Sequence, residues 1–219
     1  HNFGYNEILN VDLASIVPTL RAEAAGHAFM LASHSLGGQF ALLYASRHRS
    51  EVDGVVLLAG GSNYYGAMPR GKRFTRYVGL RTVRTIDQVL RFFPGDKLGF
   101  GGRQPLNMIL DWTYEALTGK YRVKGDATDY DRDLEQLDMP VLMVSLRGDA
   151  LVPRPSADYL ARKLTRAQVA QIELLAESGI YHHFRWVKQP ERILAQVDQW
   201  IGVQFSPATR LGVAHGARN

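Results

Sequence analysis

Residues 29–44, FMLASHSLGGQFALLY, contain the strand–turn–helix pattern that decides the fold. The stretch opens on four apolar residues, which predict a buried strand, and from Leu36 its apolar residues recur at helical spacing. Between these two elements Ser33, Ser35 and Gly37 form a small-x-Ser-x-Gly turn. Small residues are needed because strand and helix approach closely there. We expect Ser35 to be strained, with its hydroxyl exposed at the top of the sheet.

The remaining strands come from three segments with little polar content. Residues 52–59 and 141–146 are almost continuously apolar, which is typical of parallel strands covered on both faces. Residues 169–175 alternate in part, and residues 27–32 supply the strand before the Ser35 turn. Helical patterns occur at residues 6–25, 36–48, 156–164 and 190–201. The chain therefore predicts an α/β fold with a mostly parallel sheet and flanking helices.

Residues 62–135 interrupt this alternation of strands and helices. They contain two helical patterns, at 70–93 and 105–117, joined by a loop rich in glycine. Such a length far exceeds an ordinary crossover connection, so we predict a helical cap inserted into the sheet domain. The C-terminal tail, residues 206–219, is rich in Gly, Ala and Arg and is expected to be disordered. The predicted division is a core at 1–61 and 136–205, a cap at 62–135 and a tail at 206–219.

The first predicted helix of the cap is basic, and the cap as a whole is aromatic. Seven Lys and Arg residues lie between positions 70 and 91, opposed only by Asp87. Such a run is usually a solvated helix face, although it would also attract an anionic substrate or a membrane surface. The aromatic candidates for lining an apolar acyl pocket are Tyr64, Tyr65, Phe74, Tyr77, Phe92, Phe93, Phe100 and Trp112.

Composition excludes several classes of site and partner. The chain has no cysteine, which rules out a disulfide framework, a thiolate nucleophile and a cysteine metal site. No apolar run approaches the roughly 20 residues of a membrane span. The net charge of +5 permits anionic substrates without requiring nucleic acid. No charged-then-apolar pattern of a signal peptide is present either, so we expect a cytoplasmic protein. We expect no cofactor, because the glycine-rich loop lacks the Gly-Lys-Ser/Thr end of a phosphate loop.

Two loops supply the groups that a serine nucleophile requires. A serine hydroxyl becomes reactive when a base takes its proton and a carboxylate orients that base. Asp149 follows the strand at 141–146 in the pattern Gly-Asp-x-x-Val-Pro, although Gly-Asp is also common in turns. His182 and His183 follow the strand at 169–175, and only one of the two can face the serine.

These three stretches resemble the α/β-hydrolase superfamily. The Ser35 turn resembles its nucleophile elbow in the form Gly-His-Ser-Leu-Gly-Gly, with Ser33 where the family most often has glycine. The loop of Asp149 resembles the family's acid loop, and the run from His183 to the following tryptophan resembles its His-Phe-x-Trp pattern. The resemblance implies a catalytic triad of Ser35, Asp149 and His183, with His182 as the alternative base.

The resemblance also implies parts of the family fold that have no counterpart in residues 1–26. The N–H of Leu36 would supply one donor to the oxyanion, and in the family the second lies on a loop after an early strand. That strand and its neighbours are absent here, and the sequence begins at His1 in what reads as a loop. We therefore expect an N-terminally truncated piece of a longer hydrolase, whose own activity stays open.

The function implied is that of a serine hydrolase, which cleaves a carboxylic ester or related acyl bond through an acyl-enzyme. The expected partner is a small, apolar acyl substrate, with no nucleic acid, metal or cofactor. The same triad also serves acyltransferases, amidases or peptidases, thioesterases and enzymes that cleave carbon–carbon bonds, and the sequence does not choose among them. An inactive fragment or binding module is the remaining alternative.

Overall fold

The computed structural model describes residues 2–99, 101–175 and 183–206, and these contain six strands and nine α-helices. The strands are β1 (Met30–His34), β2 (Gly54–Leu58), β3 (Phe92–Pro94), β4 (Arg103–Pro105), β5 (Pro140–Leu146) and β6 (Gln168–Leu174). The helices are α1 (Tyr5–Glu7), α2 (Ala14–Glu23), α3 (Leu36–Arg47), α4 (Arg73–Leu90), α5 (Gly95–Leu98), α6 (Leu106–Thr118), α7 (Tyr130–Glu135), α8 (Arg154–Ala161) and α9 (Glu191–Gln204). A π-helical segment, Ile8–Leu13, joins α1 to α2, and 3₁₀ turns span Tyr65–Ala67, Arg70–Lys72 and Trp186–Lys188.

Four of the strands, in the order β1, β2, β5 and β6, form one parallel sheet. Its register pairs Ser33 with Leu57, Leu57 with Met143 and Met143 with Gln171. β1 is an edge strand among the described residues, and β2 and β5 are central. Helices α3, α8 and α9 pack against these strands. The predicted α/β fold, with a mostly parallel sheet and flanking helices, is confirmed.

Alternate residues of the central strands supply two apolar cores. Leu57 and Met143 pack in the larger core with α3 and α8, whereas Val56 and Leu142 join Trp200 of α9 on the other face. This follows from the period of two in a strand, which sends successive side chains to opposite faces. Because both faces are covered, the strands are apolar almost throughout, as the sequence pattern indicates.

The first strand lies further along the chain than the apolar pattern at residues 27–32 predicts. Asp53 delays its start: the Asp53 carboxylate accepts the N–H of Phe29 (2.7 Å), and the Asp53 N–H donates to the carbonyl of Phe29 (2.8 Å). At the other end the polar residues continue the ladder, and His34 pairs with Leu58. Pairing with β2, rather than apolar character, therefore sets the ends of β1.

The helix predicted over residues 70–93 is also wrong at its end. α4 stops at Arg91, whose φ of 64° lies in the left-handed region. Phe92 and Phe93 then enter β3, which pairs antiparallel with β4. The predicted glycine-rich loop therefore joins the two strands of a hairpin and contains α5. Val89, which the helical pattern places on the apolar face, is 73% exposed.

The larger core also receives side chains from the segment predicted as a cap. Tyr121, Tyr130 and Leu134 belong to it, and α7 packs against α3. In contrast, α4 and α6 pack against each other and against the hairpin of β3 and β4. The division of the chain at residue 135 stays a prediction, as does the tail at 206–219, of which residues 207–219 lie outside the described part.

The helices of residues 2–99, 101–175 and 183–206 bear on the expectation that the sequence has no membrane span. None of these helices combines the length and the apolar content needed to cross a bilayer.

Candidate active site

Ser35 occupies the sharp turn between β1 and α3. Its φ of 55° and ψ of −123° lie in a region that L-residues seldom adopt, at a cost on the order of 1–3 kcal/mol. Two hydrogen bonds hold it there: the Ser35 N–H donates to the carbonyl of Leu58 (2.9 Å), and the Gly38 N–H donates to the carbonyl of Ser35 (3.0 Å). The structure therefore contains the strained turn that the sequence pattern predicts.

The two glycines after Ser35 lie so close to neighbouring residues that a side chain at either position would be crowded. A Cβ atom at Gly38 would lie 2.9 Å from Leu57 Cγ, which is too close for two carbon atoms. One at Gly37 would lie 3.3 Å from the Cβ of Ser33. Serine is accepted at position 33, where the resembling family has glycine, because Gly37 has no side chain to meet it.

Asp149 lies on the loop after β5 and is 4% exposed. Its Oδ1 accepts two backbone N–H groups, from Leu151 (2.9 Å) and Val152 (3.1 Å). Gly148 takes a φ of 86°, in the left-handed region where glycine is favoured, and so turns the chain at the end of the strand. These contacts anchor one carboxylate oxygen and leave Oδ2 for another partner.

That partner is His183, which connects the loop of Asp149 to the serine. His183 Nδ1 lies 2.7 Å from Asp149 Oδ2, and His183 Nε2 lies 2.8 Å from Ser35 Oγ. A carboxylate only accepts, so Nδ1 carries the proton, and in the neutral imidazole Nε2 accepts from the hydroxyl of Ser35. The structure thus brings the three predicted residues together. His182, the alternative base, lies outside the described residues.

His34 is the histidine of the elbow pattern next to Ser35, and the sequence did not predict its contact with His183. Its Nε2 lies 2.9 Å from the carbonyl oxygen of His183 and must donate there, since a carbonyl only accepts. The two rings lie 4.7 Å apart between centroids. Burial lowers the pKa of His34 and so favours the neutral ring, while the bond to the His183 carbonyl acts in the opposite direction. His34 therefore positions the backbone of the base, and its adjacency to Ser35 was the only signal in the sequence.

Leu36 begins α3 directly after the serine. The N–H groups of the first helical turn have no acceptor within the helix, and they point outwards at its positive end. Leu36 and Ser35 both line a cavity of about 360 Å³. A negative oxygen formed in this cavity beside Ser35 would lie at the end of the helix that attracts it.

The cavity above Ser35 is mostly apolar and is walled by α4, α6, the hairpin and the loop of Asp149. Its apolar lining residues are Leu36, Phe93, Met108, Ile109, Trp112, Leu151, Val152 and Phe184. Two of the aromatic residues predicted to line an acyl pocket, Phe93 and Trp112, are among them. Phe74 instead is 77% exposed, and Phe100 lies outside the described residues.

A buried carboxylate, Glu115 of α6, braces the loop after β2 at the rim of the cavity. Glu115 Oε1 accepts the hydroxyl of Ser62 (2.5 Å), and Oε2 accepts the N–H of Asn63 (3.0 Å). Burial raises the pKa of Glu115 to about 7. Gln39 of α3 holds the same loop by donating to the carbonyl of Gly61 (2.7 Å). Asn63 is thereby fixed with its side chain lining the cavity.

The part of the chain that the structure describes brings together no group of three or more His, Asp or Glu side chains that could hold a metal ion.

Comparison with known proteins gives the family. A family model described as "Alpha/beta hydrolase family" matches residues 1–196. No curated protein matches the sequence significantly. Among solved structures, one reported for LipS and LipT, two metagenome-derived lipolytic enzymes, is similar at 13% identity and a TM-score of 0.60, covering 91% of this chain and 74% of the other.

Two further solved structures show the same likeness. A bromoperoxidase from Bacillus anthracis is 18% identical with a TM-score of 0.53, over 92% of this chain and 75% of its own. The Paleococcus ferrophilus monoacylglycerol lipase is 16% identical with a TM-score of 0.50, over 89% and 75%. At such identities the likeness concerns the fold. Together with the match over residues 1–196, it shows that the chain belongs to the alpha/beta hydrolase family.

Proposed function

We propose that this alpha/beta hydrolase cleaves a carboxylic ester through an acyl-enzyme formed on Ser35. One observation carries the proposal: Ser35 Oγ lies 2.8 Å from His183 Nε2, while His183 Nδ1 lies 2.7 Å from Asp149 Oδ2. This is the arrangement by which a base activates a hydroxyl nucleophile and a carboxylate stabilises the resulting imidazolium. The apolar cavity beside Ser35 supports an acyl substrate that is largely apolar.

In this mechanism each residue acts at a stated atom. His183 Nε2 takes the proton of the Ser35 hydroxyl as Oγ attacks the carbonyl carbon, and Asp149 Oδ2 stabilises the charged ring. The oxygen of the tetrahedral intermediate accepts from the N–H of Leu36. His183 then gives the proton to the departing alcohol, which leaves the acyl group on Ser35. Water activated by His183 releases the acid in the same way.

We also propose that the segment predicted as a cap determines which substrates reach Ser35. Its helices α4 and α6 and its hairpin supply Arg76, Phe93 and Trp112 to the wall of the cavity. The names of two structural neighbours, which describe lipolytic enzymes and a monoacylglycerol lipase, agree with an acyl substrate without identifying one.

The test combines turnover with covalent labelling of the purified chain. We expect hydrolysis of p-nitrophenyl butyrate and labelling by a fluorophosphonate, and Ser35→Ala should lose the label and at least about 10³-fold in rate. Ser33→Ala, two residues away, is the matched control and should keep both signals. A Ser35→Ala variant that retains the wild-type rate would refute the mechanism. Product analysis with added ethanol separates hydrolysis from acyl transfer.

A further inference from the structure

Two buried donors in the wall of the cavity above Ser35 have no hydrogen-bond partner among the described residues. They are the guanidinium Nε of Arg76 and the side-chain amide Nδ2 of Asn63, which lies close enough to Glu115 to lower the pKa of that carboxyl but makes no hydrogen bond of normal geometry with it. Both side chains line the same cavity of about 360 Å³ that Ser35 and His183 line. Asn63 comes from the loop after β2 and Arg76 from α4, so two separate elements deliver donors to one space.

The described residues that line the cavity make no hydrogen bond with either donor. The cavity's other described lining residues are mainly apolar or glycine, and the Gln104 amide already donates to the carbonyl of Gly101 (2.5 Å). A buried polar group without a partner costs about 1–3 kcal/mol, and more when it is charged. Because both unpartnered atoms are donors, the group that complements them is an acceptor.

The charge of Arg76 narrows the acceptor to an anion. Burial lowers the pKa of Arg76, but a guanidinium stays protonated in proteins. The carboxylate that acts on it electrostatically is Glu115, both of whose oxygens already accept from Ser62 and Asn63. Glu115 has a pKa of about 7 and is therefore only partly ionised near neutral pH. Among the described residues, Glu115 therefore gives the positive charge of Arg76 only part of a counter-charge.

The position of Arg76 is set by its neighbours on the cavity wall. Its guanidinium carbon lies 5.7 Å from the centre of the Trp112 ring, at the distance of a cation–π contact. Arg76 also lines a second cavity of about 390 Å³ together with Lys72. An anionic group that enters this region therefore meets a second positive charge nearby.

We propose that the substrate carries a free carboxylate in addition to its ester bond, and that Arg76 and Asn63 bind this carboxylate. The inference rests on the proposed function, which places the ester carbonyl at Ser35. Since Arg76 and Ser35 line one small cavity, the carboxylate lies within a few bonds of the ester. Monoesters of short dicarboxylic acids are the class that fits, with methylene groups against the apolar wall.

The experiment compares two esters of equal chain length, monoethyl glutarate and ethyl valerate, by acid release in a pH-stat. The wild-type chain should have the higher kcat/KM on monoethyl glutarate. Arg76→Met should lower that value about 10- to 100-fold, the effect expected for a lost charged hydrogen bond. The value on ethyl valerate should fall much less, so the preference for monoethyl glutarate over ethyl valerate should be lost, since no charged bond to ethyl valerate is broken. Asn63→Asp, which sets a like charge against the carboxylate, should lower the glutarate rate selectively.

Controls separate recognition from support of the fold. Arg81→Met removes an exposed arginine from the same helix and should leave both rates unchanged. Arg76→Lys should restore part of the preference, because it restores the charge without the planar donors. If Arg76→Met reduces both substrates equally, or if the wild-type chain shows no preference, the carboxylate site is overturned.

Binding distinguishes failure of this inference from failure of the proposed function. Titration calorimetry with monoethyl glutarate uses Ser35→Ala, in which turnover is blocked. This variant should bind the ester, and the double variant with Arg76→Met should lose that binding about 10-fold or more. Binding with no turnover by the wild-type chain would refute the proposed function alone. Turnover of ethyl valerate with no binding of monoethyl glutarate would refute the carboxylate site alone.

Discussion

The loops that hold the triad and the helices that cover it differ in how their polar atoms are satisfied. In the loops, Asp149 accepts from two backbone N–H groups and from His183, and His183 in turn accepts from Ser35. In the covering helix α4, Arg76 Nε and both carboxylate oxygens of Asp87 are buried without a hydrogen-bond partner among the described residues. Within the described residues the proposed triad is thus hydrogen-bonded internally, whereas α4 contains buried polar atoms without a partner.

The two regions also differ in how completely their helices are buried. α3, which follows the serine, buries Leu42, Leu43 and Tyr44 almost completely. In α4, Phe74 is 77% exposed and Val89 is 73% exposed. Helix α3 is therefore more completely packed than α4. Under the proposed function, α3 follows the nucleophile and α4 contacts the substrate. We expect substitutions in the first to change the reaction and in the second to change its specificity.

The largest effect should come from the triad, with Asp149→Asn. Asparagine keeps the shape, so its oxygen can still accept from Leu151 and Val152, but its amide then faces His183 Nδ1. Two donors cannot bond, so the imidazole is driven to the tautomer with its proton on Nε2, where it cannot accept from Ser35. We expect kcat to fall by about 10⁴-fold with little change in thermal unfolding.

The control for this prediction is Asp158→Asn, an aspartate on α8 whose carboxylate pairs with Arg154 (2.7 Å) at the surface. Its effect on kcat should be negligible. An Asp149→Asn variant with near-wild-type kcat would mean that the carboxylate does not orient the base.

Where the two regions meet, Glu115 should make stability depend on pH. Its pKa is about 7 in the folded chain, against 4.5 as the ordinary value, because burial disfavours the charged form. Between these pH values the folded state binds more protons than the unfolded state, so the free energy of unfolding falls as pH rises. The fall attributable to Glu115 is about 3 kcal/mol at most and should level off above pH 7.

Urea unfolding at pH 5, 6, 7 and 8 measures this fall in the wild-type chain and in Glu115→Gln, which has no proton to lose. The stability difference between the two should shift in favour of the variant as pH rises. Glu135→Gln, at an exposed position on α7, should retain the wild-type dependence. If the free energy of unfolding has the same pH dependence in Glu115→Gln and in the wild-type chain, the prediction is contradicted.

The smallest effects should come from two glycines, with opposite signs in the two regions. Gly38→Ala places a Cβ 2.9 Å from Leu57 Cγ in the packed core and should lower the free energy of unfolding by about 1–3 kcal/mol. Gly79→Ala lies in the middle of α4, where a Cβ meets nothing within 4 Å. It should raise the free energy of unfolding by up to about 1 kcal/mol, because alanine favours the helix.

The pair is its own control, since both substitutions add one methyl group within a helix. Thermal unfolding of the two variants side by side decides the sign of each. Stabilisation by Gly38→Ala, or destabilisation by Gly79→Ala, would show that the two regions do not differ in packing as described.

The sequence predicted the parallel sheet and the residues around Ser35 because both depend on local patterns. Apolar runs identify buried strands, and the sharp turn accepts only small neighbours, so Gly37 and Gly38 appear in the sequence for steric reasons. The predicted ends of β1 were wrong because the start of its pairing with β2 depends on Asp53, which is far along the chain. Long-range partners of this kind leave no local pattern.

The covering region was predicted less well for a related reason. A helical pattern shows that α4 forms, but not which of its arginines turns inwards, and Arg76 reads in the sequence like its exposed neighbours. Likewise Phe92 and Phe93 fit the helical period, although Arg91 ends the helix in a left-handed conformation. The bond from His34 to the carbonyl of His183 joins residues that only the folded chain brings together.

At Ser35 the residue that the proposed reaction needs is not the residue that would make the fold most stable. The positive φ of Ser35 disfavours every residue with a side chain but suits glycine. Ser35→Gly should therefore unfold at a higher temperature than the wild-type chain while losing the proposed nucleophile, by relief of a strain on the order of 1–3 kcal/mol. A lineage selected only for a stable fold would tend to replace this serine, so its retention would reflect selection for chemistry.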